Sequence, residues 1–366
     1  MVFASVLVAG AATGSLPGAG RGASADGAAQ AAPVGHHTEV FRAAEEAAAH
    51  GASPLEAAER AVSRSGDRWA AVYSPDEYEK FEAGLDGAYT GVGLWARERD
   101  GRIEVAKVGS GTPAAEAGIR AGDRLRSVDG EKVDGRPVTE VVSLLRGDTA
   151  GKSAGSTVRL GLERGSRSWS ETVRRARLSR EAVTVRSLPS GVTVIQVTAF
   201  TRGSGEQVRT AVREAPEESG VVLDLRSNPG GLVAEAVTAA SAFLDGGLVA
   251  TYDVEGEQRA LHAEPGGDTH RPLVVLVDAG TMSAAELLTG ALQDRGRAVV
   301  VGSRTFGKGS VQMPTELPDG SVAELTVGHY RTPSGRDVDG HGLTPDLEAG
   351  EQALERAETV VGGLGR

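Results

Sequence analysis

Residues 272–312 read PLVVLVDAGTMSAAELLTGALQDRGRAVVVGSRTFGKGSVQ. A short apolar run, 272–277, stops at the turn formers Asp278-Ala279-Gly280, the pattern of a buried strand. Beyond Ser283, the residues Leu287, Leu288, Ala291 and Leu292 recur at helical spacing, which places Ser283 at a helix N-terminus. A second apolar run, 298–301, leads into Thr305-Phe306-Gly307-Lys308-Gly309, where a lysine stands alone between two glycines. Strand, helix and strand within this length belong to a sheet covered by helices.

The same rhythm precedes this stretch. Residues 192–200 read as strand, 206–215 as helix, 221–225 as a buried strand and 232–243 as helix. After it, 322–330 alternate as a further strand, closed by Pro333-Ser334-Gly335. Near the start, 38–65 are rich in alanine and glutamate, and Gly51 and Pro54 split them into two helices with Ser53 as a cap. Ser74-Pro75-Asp76-Glu77 opens a third helix with a capping pattern. Between these regions the texture is different. Tyr89-Thr90-Gly91-Val92-Gly93-Leu94 introduces short strands at 103–108, 125–128, 157–162 and 169–173, with a helix near 138–145. The expected divisions are a leader at 1–32, helices at 36–86, a β-domain at 87–178, an α/β core at 179–350 and a tail helix at 351–366.

The totals exclude several function classes. Thirty-nine basic against 50 acidic residues give a net charge of −11, which argues against nucleic acid or an anionic bilayer as the main partner. Arg174-Arg175-Ala176-Arg177 with Arg180 is a short basic cluster without interleaved aromatics, and reads as a solvated face. With no cysteine there is no disulfide, thiol nucleophile or cysteine metal site. An apolar run at 2–12, followed by Ala23-Ser24-Ala25, resembles a signal peptide with its cleavage site, although the usual positive start is missing. Either the true start lies upstream or this is an alanine-rich leader. Export or membrane anchoring is the expectation, against a flexible cytosolic leader.

Ser283-Ala284-Ala285-Glu286 is a good capping box, and on its own the serine needs no other role. The chemical alternative is a nucleophile at a helix start whose amides and dipole face a forming oxyanion. Such a serine needs a base. No histidine lies in a G-x-S-x-G arrangement with the Asp and His order of an α/β-hydrolase. Lys308 is the better candidate, yet at an ordinary pKa of about 10.4 only about one lysine in a few thousand is neutral at pH 7. Burial lowers that value, with Phe306 or Val311 as the expected apolar wall. Gln312, four residues on, has the same strand parity, so its amide oxygen would accept from the lysine. The turn Asn228-Pro229-Gly230-Gly231 ends the run 221–225 and leaves backbone N–H groups free to approach a substrate oxygen; a plain βα turn is the alternative. The run from Gly302 to Lys308 also fits the first part of a phosphate loop. It fails there, because Gly309 replaces the magnesium-binding Ser or Thr and Pro314 and Pro318 follow, so no nucleotide is expected.

Two resemblances gather these pieces. Residues 112–125, TPAAEAGIRAGDRL, with Gly91 and Gly93 as loop glycines, resemble a PDZ domain over roughly 88–178. In such a domain Gly91, Val92, Gly93 and Leu94 offer free amides and a strand edge to a peptide terminus. "DLRSNPGG", "ALQDRGRAVVVGSRTFGKGSVQ", "LPDGSVAELTVGHYRTPSGR" and "HGLTPDL" resemble the carboxyl-terminal processing, or tail-specific, serine proteases, over about 64–347. The resemblance implies a multidomain α/β protein whose βα-repeat core resembles the crotonase-like fold. It implies Ser283 as nucleophile, Lys308 as base, Gln312 as its support and Asp294 in a supporting structural role. Gly230 or Gly231, with the Ser283 N–H, would form the oxyanion hole. Substrates would be proteins with apolar C-terminal tails captured by the PDZ domain, without cofactor or metal, in an extracytoplasmic setting. Related enzymes form dimers or larger assemblies through terminal helices, so a homo-oligomer is admitted. Two departures stand beside the serine: Thr281-Met282 before it and Ala285 after it, where small residues or serine are usual. The rival reading is a catalytically inactive, PDZ-bearing peptide-binding protein.

Overall fold

The computed structural model describes residues 36–99, 101–147, 154–254 and 257–365. The signal-like leader lies outside them. Packing divides the chain into a larger unit, formed by the residues up to Asp86 together with those from Glu181 onward, and an inserted unit, Gly87–Arg180.

The larger unit opens with α1 (His36–Ala49), α2 (Pro54–Ser65), β1 (Ala71–Tyr73) and α3 (Pro75–Leu85). Ser53 caps α2 by accepting from Glu56 N–H, and Ser74 and Glu77 form the expected capping box on α3. The inserted unit runs β2 (Ala88–Gly91), β3 (Leu94–Arg99), β4 (Arg102–Val108), α4 (Pro113–Glu116), β5 (Arg124–Val128) and β6 (Glu131–Lys132). It continues through α5 (Val138–Arg146), β7 (Thr157–Arg164), β8 (Arg167–Arg174) and β9 (Ala176–Ser179). Strands β3-β4-β5-β7-β8 form one sheet with β3 at its edge, while β2 and β9 pair separately as an antiparallel stem. Beside that stem, Arg180 N–H donates to Gly87 O at 2.7 Å. Arg175 is fully buried, and its guanidinium donates to the carbonyls of Leu144 and Leu145 at the end of α5. The expected basic face is therefore in part an internal helix cap.

The larger unit resumes with β10 (Val183–Ser187), β11 (Thr193–Val197), α6 (Ser204–Glu214), β12 (Val221–Asp224), α7 (Val233–Ala240), β13 (Leu248–Val254) and β14 (Glu257–His262). Then come β15 (Leu273–Val277), α8 (Ala284–Asp294), β16 (Val299–Gly302), β17 (Ser310–Glu316), β18 (Val322–Arg331), β19 (Leu347–Glu348) and α9 (Ala353–Leu364). Strands β11, β12, β15, β16 and β19 are parallel neighbours, with β10 antiparallel at one edge. The central runs of β12 and β15 are buried throughout and almost entirely apolar because both faces are covered. Leu223 and Val275 pack with α6, α7 and α8, whereas Val222, Val274 and Leu276 pack with Ala353, Ala357 and Val361 of α9. A second sheet, β1-β18-β13-β14 with β17 on β18, packs against α1 and α2 through Val40, Ala44, Ala58, Ala323 and Leu325. No helix among the described residues is long and apolar enough to cross a membrane.

Candidate active site

The chemistry-bearing turns leave the carboxyl ends of three adjacent parallel strands, where the loops of open α/β sheets converge. The Asn228–Gly231 turn follows β12, Ser283 follows β15, and Lys308 follows β16. Cross-links fix these loops. Met282 N–H donates to Asn228 O at 2.9 Å, and Phe306 N–H to Thr281 O at 3.0 Å. Thr281, one of the two departures before the serine, is fully buried and donates its hydroxyl to Leu225 O at 2.9 Å.

Ser283 is buried and has a backbone that side chains seldom adopt, with φ 52° and ψ −119°. Such a conformation costs on the order of 1–3 kcal/mol and persists only where neighbours enforce it. Here Tyr330 Oη donates to Ser283 O at 3.1 Å, and the Glu286 carboxylate accepts from Ser283 N–H at 2.9 Å. A Cβ on Gly230 would lie 2.9 Å from that of Ser283, so only glycine fits behind the serine. The expected capping box is present at α8, with Ser283 at the cap and Glu286 reaching back to its N–H, although the Ser283 Oγ makes no hydrogen bond of ordinary length.

Glu286 is the residue whose importance the sequence understated. Fully buried on α8, its Oε2 accepts from both Ser283 N–H and Lys308 N–H at 2.9 Å, and its Oε1 accepts from Gly307 N–H at 2.7 Å and from the Thr305 hydroxyl. Sharing one oxygen holds the Ser283 and Lys308 backbone nitrogens within about 6 Å of each other. Burial raises the Glu286 pKa and the four donors oppose it, with a net upward result. The sequence signal was present as the capping-box glutamate. Its second set of partners comes from 19 to 22 residues away.

Lys308 is buried at 2% exposure. Burial pulls its pKa down from 10.5 to about 8, against the opposing pull of Glu324, Asp67 and Asp339. Of the two residues expected as its apolar wall, Phe306 is half exposed and Val311 is buried, and the ring over the Lys308 Nζ, 4.8 Å from its centroid, is Trp69. Phe306 instead packs edge-on against Trp69. Trp69 comes from the loop between α2 and β1, and its one sequence signal was an isolated tryptophan in a chain with 4% aromatics. Gly307 and Gly309 are required by the loop at 339–342, because Cβ atoms there would lie 2.8 Å from Gly342 N and 2.6 Å from Asp339 N.

Gln312 is buried, and its Nε2 donates to Ser310 Oγ at 2.8 Å and Thr326 Oγ1 at 3.3 Å, while its Oε1 has no partner. Strand parity does not relate Gln312 to Lys308. β17 starts at Ser310, after Lys308, and a bulge at Val311/Gln312 interrupts the alternation. What relates the two residues is Asp67. It accepts from Thr326 N–H and hydroxyl at 3.0 Å, and its charge bears on Lys308.

Of the three expected oxyanion donors, two are engaged. Gly230 N–H donates to Asn228 Oδ1 at 2.9 Å, and Ser283 N–H to Glu286. The amides of Gly231 and Ala284 have no acceptor among the described residues. Asp294 ends α8, about 16 Å along the helix from Ser283. It accepts from Ser334 N–H and hydroxyl at 2.9 and 2.6 Å and pairs with Arg336, so it holds the turn after β18. In the inserted unit, Gly91 ends β2 and Leu94 begins β3. Gly93 has φ +82°, and a Cβ there would strike Thr112 at 2.2 Å. Val92 O accepts from Ala114 N–H at 2.8 Å, which ties this loop to α4.

Residues 191–349 match peptidase family S41, and residues 104–164 match the PDZ domain. The carboxyl-terminal-processing peptidase 3, chloroplastic, of Arabidopsis thaliana is 36% identical over 308 residues, covering 78% of this chain and 58% of that protein. The carboxy-terminal processing protease CtpA of Bacillus subtilis is 31% identical over 288 residues, covering 77% and 61%. Among solved structures, a photosystem II D1 C-terminal processing protease superposes with a TM-score of 0.54 at 29% identity, over 84% of this chain and 86% of that one. The chain spans about three fifths of the length of these curated relatives.

Proposed function

The chain belongs to peptidase family S41, among its carboxyl-terminal processing members and with a PDZ domain, and from that premise we propose a serine endopeptidase that works through Ser283 and Lys308. The observation that supports it most is the shared Glu286 carboxylate, which anchors the backbones of the expected nucleophile and base together. Neutral Lys308 takes the proton from Ser283 Oγ as it attacks the peptide carbonyl, and the carbonyl oxygen becomes an oxyanion facing the unpaired amides of Gly231 and Ala284. The Lys308 ammonium then protonates the departing amine, leaving an acyl ester on Ser283. Water, deprotonated by Lys308, hydrolyses that ester. Gln312 Oε1, an acceptor without a partner, supports the amine when it turns toward Ser283. Apo geometry is commonly looser than that of the substrate complex. Substrates are proteins with apolar C-terminal tails, taken up as an added strand on the open edge of β3 beside Gly91–Leu94. An extracytoplasmic location follows from the same reading.

The test compares the parent with Ser283→Ala on an unfolded protein carrying an apolar C-terminal tail. Cleavage by the parent and none by the variant is the expected result. Equal cleavage by both refutes Ser283 as nucleophile. Tail binding by both without cleavage by either makes the chain a binding protein on a peptidase fold.

A further inference from the structure

Glu324 takes no part in the chemistry above, yet it is 1% exposed near the start of β18, and its Oε1 has no hydrogen-bond partner. Its register neighbours are Pro314 on β17 and Ala71 on β1. Neither side chain carries a polar group that would satisfy a carboxyl. Thr326, two residues on and so on the same face of the strand, accepts from Gln312 and donates to Asp67. Glu324 therefore lies on the same face of β18 as the Thr326 hydroxyl that joins Gln312 to Asp67. The cation bearing on it is Lys308; around them stand Tyr73 from β1, Tyr78 from α3, Asp67 and the Trp69 ring from the loop after α2, and Asp339 from the loop after β18.

We propose that Glu324 is a positioning residue for Lys308: its buried carboxyl sets how readily the lysine gives up its proton, and hence where on the pH scale the dyad works. The charge that favours an ionised carboxylate here is that of Lys308, and Glu324 comes first, ahead of Asp67 and Asp339, among the carboxylates that favour a protonated lysine. Ionised Glu324 thus retains the ammonium, whereas protonated Glu324 releases it. Burial, opposed by Lys308, holds the Glu324 pKa at about 8, so the two groups titrate together as a pair. The effect rests on the reading of Lys308 as the base.

The experiment titrates Lys308 directly by NMR of lysine carrying 13C at Cε, in the parent, Glu324→Gln and Glu324→Leu. The chain has five lysines, and Lys308→Met assigns the resonance. The pH profile of kcat/KM is measured on the same samples. Removing the carboxylate is expected to lower the Lys308 midpoint and the acid limb of the profile together by about one pH unit, raising activity at pH 7 about fivefold. A midpoint unchanged in both variants overturns the proposal. A midpoint that moves while the limb stays fixed overturns the role of Lys308 as base, and that of Glu324 in the reaction with it. Loss of Ser283 dependence without any change in the midpoint shift refutes the peptidase reading alone.

Discussion

Replacing Lys308 with methionine should make the protein more stable while abolishing its chemistry. A lysine that titrates at about 8 in the folded chain and at 10.5 when unfolded costs about 3 kcal/mol wherever both states are protonated. The sign follows from proton counts. Between pH 8 and 10.5 the unfolded chain binds a proton that the folded chain lacks, so stability rises with pH across that window, and below pH 8 the full cost applies. Methionine fills a similar volume without the charge. It gives up the contact of the ammonium with Trp69, worth about 0.5–2 kcal/mol. At pH 7, below the value of about 8 that it has beside Lys308, Glu324 stays protonated in the variant. The net expectation is a gain of about 2 kcal/mol at pH 7, shrinking toward zero near pH 10.5. Urea unfolding would be followed by tryptophan fluorescence in a Trp95→Phe/Trp169→Phe background, because Trp69 is then the remaining tryptophan and lies over the substituted side chain. A variant less stable than its parent at pH 7, or a stability gap that stays constant from pH 7.5 to 10.5, refutes the argument that burial sets this lysine's charge.

Glu286→Gln keeps the volume but places an NH2 where two of the four donors now point. With hydrogen bonds to a charged group worth about 1.5–3 kcal/mol each, stability should fall by about 3–5 kcal/mol and Ser283-dependent hydrolysis at least about tenfold; a loss under about 1 kcal/mol in urea unfolding would count against the clamp. Asp294→Asn should cost about 1–2 kcal/mol at pH 7 while leaving kcat/KM per folded molecule near that of the parent. Burial raises the Asp294 pKa, but hydrogen bonds from Ser334 and Thr332 and the charge of Arg336 outweigh it, so its contribution fades as pH falls below 3.8. Unfolding curves at pH 7 and pH 3 that differ equally between variant and parent would contradict this.

The parts that local pattern controls were legible. The helix after Ser283, the buried strand before it, the Gly230-Gly231 turn and both serine caps near the start follow from apolar spacing and turn chemistry within a few residues. Contacts between distant segments were not. β1 is three residues long, too short to show alternation, yet its pairing of Ala71 with Glu324 fastens the loop that carries Asp67 and Trp69 next to Lys308. The strand 322–330 alternates in sequence but is buried on both faces, since α1 and α2 cover the side that alternation left for solvent. The bulge at Val311/Gln312 had no glycine to announce it. The amides of Gly230 and Ser283 looked free because their acceptors, Asn228 and Glu286, are side chains with several plausible uses.

The β2–β9 stem has a consequence for descent. A folded insertion whose two chain ends are already hydrogen-bonded side by side leaves its host's strand order untouched, whatever its size or sequence. Exchange of 87–180 for another small domain would alter the chain only between Asp86 and Glu181, and Ser283, Glu286 and Lys308 all lie in the host unit. Substitutions inside the inserted unit then leave the strand order that carries Ser283 and Lys308 as it was.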